Sequence, residues 1–343
     1  MAIHQIKTNP CAKARGFLTG LTLLIAIFFS SVSLSEQNTD YSPHIKIFFA
    51  DSINLNNKLG EYIDNANESI KACFYAVNSN EVANSLIKAQ LRGVKVQIVM
   101  DESRIFEEES FYPQLKNFGI AKKDTLTKGL MHNKFCVIDG KLVWTGSYNP
   151  NAYAIHLNND AVAVESRQLA ELYEKEFEKL WTGFRGDSSG KCGNKIHLNG
   201  NETVEAYFTP EDGEVLLTRI MELLQNARTS IYFAQFTLTH PDIAEILVEK
   251  ASKGIDVKGI MEYDQIGAYS KYLRFEIMNM DVRKDKNYFF PFHHKFFIID
   301  GETVITGSLN ATKSAFKKNG ENVLIIHSIS SAQEYLRYFE NIR

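Results

Sequence analysis

The chain has 343 residues, of which 44% are hydrophobic, 12% aromatic and 23% charged. That balance excludes a disordered or collagen-like chain and supplies apolar surface for a sizeable core. The formal net charge is −3, so the chain has no general attraction for polyanions, and contact with nucleic acid would need a local basic groove.

Residues 1–35 stand apart. Lys7, Lys13 and Arg15 form a basic start without acids, and an apolar run from Phe17 to Phe29 follows. Small residues and Ser33-x-Ser35 come next, ahead of Glu36. This order is that of a secretory signal peptide and predicts export to a periplasmic or extracellular space. The alternative is an uncleaved anchor, because Gly16 to Leu34 is just long enough to span a bilayer. Cleavage would remove three positive charges and no negative ones, taking the net charge from −3 to −6. Cys11 precedes the apolar run, unlike a lipoprotein cysteine. Cys73 and Cys136 lie in apolar strand-like runs, where a free thiol behaves as a small hydrophobe. Cys192 lies in a polar stretch. An odd count gives no disulfide framework, and no Cys/His spacing matches a zinc site.

The next element reads as a helix, with Leu55, Leu59, Ile63 and Ala66 on one face. A strand, "IKACFYAV", follows from Ile70. Val82, Leu86, Ile87 and Ala89 then mark a second helix, closed by Gly93. "VKVQIVMD" is the next strand. "FEEES" (106–110) reads as a solvated loop that would repel polyanions if it lay at a site mouth. Lys122, Lys123 and Lys128 precede "KFCVID-G-KLVWTG", two apolar strands joined at Asp-Gly, a strong hairpin signal. A helix from Leu169 to Trp181 ends this half. Residues 183–201, rich in Gly, Ser and Asn, read as a linker.

The same order then recurs. "SIKACFYAV" at Ser69 and "SIYFAQFTL" at Ser230 are offset by 161 residues, and the register continues ungapped. A duplication follows, with a first half at 44–182 and a second at 202–343. Strand–helix–strand order in each half predicts an α/β fold with parallel pairs and covering helices.

Both copies carry H-x-K-x4-D-x6-G-S-x-N. The first is His132, Lys134, Asp139, Gly146, Ser147 and Asn149; the second is His293, Lys295, Asp300, Gly307, Ser308 and Asn310. On a strand, residues i and i+2 share a face, so each His projects with its Lys, while Asn133 and His294 point away. His294 therefore reads as structural. The hairpin returns Ser-x-Asn beside His-x-Lys. Lys, Ser and Asn then converge as donors, a set that suits an oxyanion such as phosphate. Asp139 and Asp300 sit at the turns and read as supports. A single His-x-Lys on a strand would be an ordinary solvated face; two aligned copies are not.

This paired motif resembles that of the phospholipase D superfamily over nearly the whole chain after residue 35. The resemblance implies two tandem α/β/α sandwich halves related by a pseudo-two-fold axis, with one active site at their interface. It implies that His132 attacks phosphorus, that His293 protonates the leaving alcohol and then activates water, and that no metal or other cofactor is required. Lys134, Lys295, Ser147, Asn149, Ser308 and Asn310 are expected on the phosphoryl oxygens. It also implies an acidic residue after each motif that orients that motif's His: Asp160 for His132 and Glu321 for His293. Asp160 is one methylene shorter, which puts its reach in question.

The substrate expected first is a phospholipid at a membrane surface, cleaved at its headgroup phosphodiester. Nucleic acid is the alternative, for which Lys122, Lys123, Lys128, Arg283, Lys284 and Lys286 would line a channel. A phosphatidyl transferase of cardiolipin-synthase type and an inactive binding module are further readings. The aromatic run Tyr288–Phe292 reads as strand core or as an acyl-chain entrance. With both motifs in one chain, no protein partner is needed to complete the site.

Overall fold

The computed structural model describes residues 44–343 apart from 154, 155, 185–192, 194, 199 and 288. The expected export segment, Cys192 and most of the expected linker lie outside the described residues.

The first half runs β1 (Ile45–Phe49), α1 (Leu55–Asp64), β2 (Ser69–Phe74), α2 (Asn80–Leu91), β3 (Lys95–Met100), α3 (Tyr112–Asn117), β4 (Ala121–Lys123), β5 (Lys134–Ile138), β6 (Leu142–Gly146), β7 (Asp160–Glu165) and α4 (Arg167–Thr182). The second runs β8 (Ile196–His197), β9 (Thr203–Thr209), α5 (Gly213–Gln225), β10 (Ser230–Gln235), α6 (Pro241–Ser252), β11 (Asp256–Met261), α7 (Tyr272–Ile277), β12 (Asp281–Lys284), β13 (Lys295–Ile299), β14 (Thr303–Gly307), α8 (Lys313–Lys317), β15 (Glu321–His327) and α9 (Ile329–Ile342). The sheet orders are β1-β7-β6-β5-β2-β3-β4 and β12-β11-β10-β13-β14-β15-β9-β8. In each, the helix-crossed strands pair in parallel and the Asp-Gly hairpin pairs antiparallel.

Local signals explain the elements. Ser79, Ser166 and Ser328 each cap a helix by accepting an N–H of its first turn, which satisfies an otherwise orphan donor. At the hairpin turns, Asp139 and Gly140 have φ of 51° and 57°, and Asp300 and Gly301 have 54° and 65°. Both residues of such a two-residue turn need positive φ. Each Asp is also pinned elsewhere. Asp139 accepts from the N–H groups of Asn67, Glu68 and Ser69, and Asp300 from those of Arg228, Thr229 and Ser230. The motif aspartates therefore fasten each hairpin to the start of its central strand, as supports.

The core decides how the halves meet. One cluster lies under α1 and α2, another under α5 and α6. The third joins the inner faces: Phe135, Tyr173 and Phe177 from the first half pack with Phe208, Phe296, Tyr335 and Phe339 from the second. Helices α4 and α9 lie between the two sheets, each packing on strands of both halves. The second sheet starts inside the stretch read as linker, because Ile196 is buried in this shared core and β8 pairs with β9. Two residues are too short a strand to announce themselves by alternation. Cys73 and Cys136 are free and buried. Among the described residues, no helix is long and apolar enough to cross a membrane.

Candidate active site

The two motifs meet where each hairpin enters its sheet. The segment ahead of each hairpin bridges to the opposite half, Met131 with Gly320 and Phe292 with Asn158. His132 N–H donates to Gly320 O at 2.7 Å, and His293 N–H donates to Asn158 O at 3.0 Å. Each histidine is thus stitched to the segment that precedes β15 or β7 of the opposite half. Lys134 N–H donates to Asn322 Oδ1 at 2.7 Å, adding a further cross-half bond.

This stitching corrects the expected carboxylate pairing. Glu321 lies 2.7 Å from His132 Nδ1, 189 residues away in sequence, and does not hold His293. Asp160 does not reach His132; it lies 3.0 Å from His294 Nδ1. His293 Nδ1 instead has the side-chain amide of Asn159 at 2.9 Å. The reason is register. By the 161-residue offset, Asn159 corresponds to Gly320, but the carbonyl that receives His293 N–H belongs to Asn158. The second stitch is slipped by one residue, so the residue after the acceptor is Glu321 in one case and Asn159 in the other.

Asp160 is left to the interior. It is fully buried and collects Ser147 Oγ, Thr306 Oγ1, Tyr335 Oη and His294 Nδ1. Burial pushes its carboxyl up, but His294 and these hydroxyls hold it below the usual range. His294 is fully buried, with Tyr338 Oη 2.8 Å from its Nε2, and faces away from the site as the alternation predicts.

Ser147 and Ser308 also need correction. Both are fully buried. Ser147 Oγ donates to Asp160 at 2.8 Å and Ser308 Oγ to Glu321 at 2.6 Å. They hold carboxylates, and their hydroxyls are not turned to a phosphoryl group. Gly146 and Gly307 make this possible, with φ of 142° and 140°. A Cβ on either would collide with the backbone carbonyl of Asp160 or Asn322.

The lysines do converge. Lys134 Nζ donates to His132 O at 2.9 Å, and Lys295 Nζ to His293 O at 2.7 Å. Both are buried. Burial pushes Lys134 down to about 7, against the pull of Glu321 and Asp101. Burial and the neighbouring Lys134 push Lys295 well down. Burial also lowers His132, against Glu321, and lowers His293 strongly, with Lys295 and Lys134 adding to the effect. Burial thus disfavours the protonated form of all four groups, and a bound anion would favour it. Sulfate, whose charge does not change in this range, should therefore bind progressively more weakly above pH 7, by about tenfold per pH unit for one coupled proton. Calorimetric titration at pH 6, 7 and 8 measures this; an affinity flat across the range would contradict the depressed lysine.

Asn149 and Asn310 line the cleft, and the buried amide oxygen of each has no partner. An amide turned over places its NH2 at the same point, so both fit a phosphoryl oxygen as donors.

Other residues complete the site without having been singled out. Tyr75 and Phe236 are copies of one position. Their rings lie 5.1 and 5.0 Å from those of His132 and His293. Lys134 and Lys295 sit 5.6 and 4.8 Å from the same rings, within cation–π range. Asp101 and Glu262 are also copies, and accept the N–H groups of Met131 and Phe292. The signal for all four was their shared offset; their chemistry alone marked none of them.

The cleft has a volume of about 970 Å³. His132, His293, Asn149 and Asn310 line it together with Leu130, Tyr153, Leu157, Phe290 and Pro291, and with Arg104, Glu107, Glu108 and Glu109. The acidic loop thus lies at the site. The aromatic run divides: Phe292 is buried in the shared core, Phe290 and Pro291 line the cleft, and Phe289 is exposed. Lys122, Lys123, Lys128, Arg283, Lys284 and Lys286 do not line it; Lys123 pairs with Glu102, Arg283 with Asp281, and Lys122 lies over Trp181. Among the described residues no group of three or more His, Cys, Asp or Glu is placed to hold a metal ion.

Comparison with known proteins agrees with this geometry. A family model described as cardiolipin synthase, PLD-like domain, matches residues 59–181 and 220–343. The mitochondrial cardiolipin hydrolase of Chlamydomonas reinhardtii is 29% identical over 126 residues, covering 36% of this chain and 56% of that one. A phospholipase D of Rickettsia conorii is 30% identical over 160 residues, covering 46% and 80%. The chain spans little more than half the length of the first curated relatives it matches. The phosphatidylserine synthase of Haemophilus influenzae Rd KW20 shares the fold, with a TM-score of 0.69 over 87% of this chain and 85% of that one at 13% identity. With the family model matched twice and both motif copies at one interface, the chain belongs to the phospholipase D superfamily.

Proposed function

We propose that the protein is an exported phosphodiesterase of phospholipase D type that hydrolyses phospholipid headgroup phosphodiesters. The observation that carries the reading is the lining of the cleft. Apolar Leu130, Leu157, Phe290 and Pro291 stand beside the paired histidines, together with Glu107, Glu108 and Glu109. An apolar wall suits acyl-bearing substrate, whereas carboxylates at the entrance repel a polyanion. The names of the relatives, phospholipase D and cardiolipin hydrolase, support the same class. The order of charges, apolar residues and small residues in 1–35 supports export.

In this reading His132 Nε2 attacks phosphorus, since Glu321 accepts its Nδ1–H and offsets the cation of the phosphohistidine. The bond to the headgroup oxygen breaks as that oxygen takes a proton from His293. Water then gives a proton to His293 and attacks phosphorus, the P–N bond breaks, and phosphatidic acid leaves. Lys134, Lys295, Asn149 and Asn310 offset charge on the phosphoryl oxygens throughout.

The test incubates the full chain with phosphatidylcholine vesicles and, separately, with plasmid and single-stranded DNA, all in excess EDTA. Choline release without nicking is expected. Nicking without choline release would replace the lipid reading by the nuclease one. Loss of choline release on adding EDTA would contradict the metal-free mechanism.

A further inference from the structure

Among the described residues, the two most exposed phenylalanines are Phe289, at 89%, and Phe106, at 83%. Both stand at the mouth of the cleft. Glu107, Glu108 and Glu109 follow Phe106 in the chain and line the cleft, as do Phe290 and Pro291 after Phe289. Leu130 and Tyr153 line it too, and are still 40% and 53% exposed. Apolar surface therefore runs from the outer rings inward, and His293 is four residues beyond Phe289.

The fold does not require these two rings. The 161-residue offset holds on either side of this region, at Met100 and Met261 and again at His132 and His293; it matches Phe106 with Gly267 and Phe289 with Lys128. The reacting groups are thus present in both copies, whereas neither rim ring has an aromatic counterpart. Neither packs into any of the three cores. Their loops are nevertheless held in place. Asn287 Oδ1 accepts the N–H groups of Phe289 and Phe290 at 3.1 and 3.3 Å, and Arg104 pairs with Glu107 across Phe106. A lone exposed ring is ordinary, but two at the mouth of one cleft, continuous with its apolar lining, mark a contact surface.

The charges nearby narrow the partner. Glu107, Glu108 and Glu109 line the cleft, while Lys128 and Lys286 are exposed close in sequence to Leu130 and Phe289. Both signs at one rim give no strong pull on a polyanion or a polycation. A zwitterionic bilayer has a neutral surface, and its interfacial layer accepts apolar rings. We propose that Phe106 and Phe289 form a membrane-docking rim. Both insert into the interfacial layer of such a bilayer and seat the cleft mouth on it, so that a phospholipid reaches His132 and His293 without crossing water. Because their backbone is already ordered, docking costs little loop freedom.

The inference rests on the phospholipid reading for its purpose, but docking can be measured without turnover. In the full chain carrying His132→Asn, sedimentation with phosphatidylcholine vesicles reads binding alone. Phe106→Ser and Phe289→Ser should each weaken it by about tenfold, as loss of one inserted ring does. Phe184 is 71% exposed and does not line the cleft, so Phe184→Ser should leave binding unchanged. In the active chain, both rim variants should slow choline release from vesicles by the same factor. Their cleavage of bis(p-nitrophenyl) phosphate and of monomeric dihexanoyl phosphatidylcholine should change by less than about threefold, which also shows that they fold. Unchanged vesicle binding in the Phe106→Ser, Phe289→Ser double variant would overturn the proposal. So would an equal loss in Phe184→Ser or an equal loss on the soluble esters. A parent dimer that the rim variants dissociate would put a second copy of the chain on this surface in place of the bilayer. Rim-dependent vesicle binding by a chain that nicks DNA and releases no choline would sink the phospholipid reading and leave the docking rim standing. Choline release from vesicles that ignores both rim variants would do the reverse.

Discussion

Replacing His132 by Asn is expected to abolish turnover, by about 10⁴-fold or more, as removal of a covalent nucleophile does elsewhere. His132 is buried beside Glu321, with its approach strand tied to Gly320. Lys134 and Lys295 each donate to the carbonyl oxygens of His132 and His293, which holds them as donors to the site and leaves the two imidazoles as its candidate nucleophiles. The His293→Asn variant should behave differently. With bis(p-nitrophenyl) phosphate the first step needs no acid, so His132 should still be phosphorylated. The second step lacks its base, so the adduct should accumulate and be visible by intact mass at high pH, where phosphohistidine survives. An adduct formed by His132→Asn, and not by His293→Asn, would exchange the two roles. Full activity in His132→Asn would remove the nucleophile altogether.

The second large effect is on stability. Asp160→Asn should destabilise the fold by about 3–5 kcal/mol, because a buried charge network loses its central acceptor. Four donors converge on that carboxylate from both halves: Ser147 from the first, and His294, Thr306 and Tyr335 from the second. An amide can accept on only one side, so at least one buried hydroxyl or imidazole is stranded. The pH dependence has a definite sign. The carboxyl sits below its usual range when folded, despite the opposing effect of burial. Its contribution is thus complete above the unfolded value near 4 and is lost as pH falls through the folded value. Denaturant melts should show a gap between parent and Asp160→Asn that is wide at pH 7 and narrows in acid. A gap that is absent at pH 7, or constant with pH, would deny Asp160 this role.

These outcomes separate two carboxylates that look alike in sequence. Glu321 and Asp160 occupy the same place in the two repeats, and symmetry alone assigns each a histidine of its own half. The structure gives Glu321 to a histidine of the other half and takes Asp160 out of the cleft. Ser147 and Ser308 changed roles for the same reason: a residue between a strand end and the opposite half can serve the interior as easily as the cleft. Tyr75, Phe236, Asp101 and Glu262 were visible as repeated positions, but nothing local says that an aromatic ring after a strand will underlie a histidine several elements further along the chain.

The basic residues show the limit of reading along the chain. Lys122, Lys123, Arg283 and Lys284 precede the motifs in sequence, yet they close the edge strands β4 and β12. The cleft opens elsewhere, and its charged lining comes from Arg104 and from the "FEEES" loop, which the sequence marks as a solvated loop that would repel polyanions if it lay at a site mouth. Sequence distance to a motif is a poor guide to distance in a sheet, because the edge strand and the central strand that carries the motif are separated by two others.

The sequence by itself determined the duplication, the strand–helix–strand order, the Asp-Gly hairpins and the projection of each His with its Lys. All of these depend on periods of two and 3.6 residues and on turn chemistry, which act over a few positions. Tertiary structure alone decided which half completes which histidine. That choice is made by backbone hydrogen bonds between distant segments, His132 with Gly320 and His293 with Asn158, and a slip of one residue in the second exchanges a carboxylate for an amide. Local propensity carries no information about such a slip, because it acts along one segment, whereas the slip turns alternate side chains to the other face of a pairing made with a distant one.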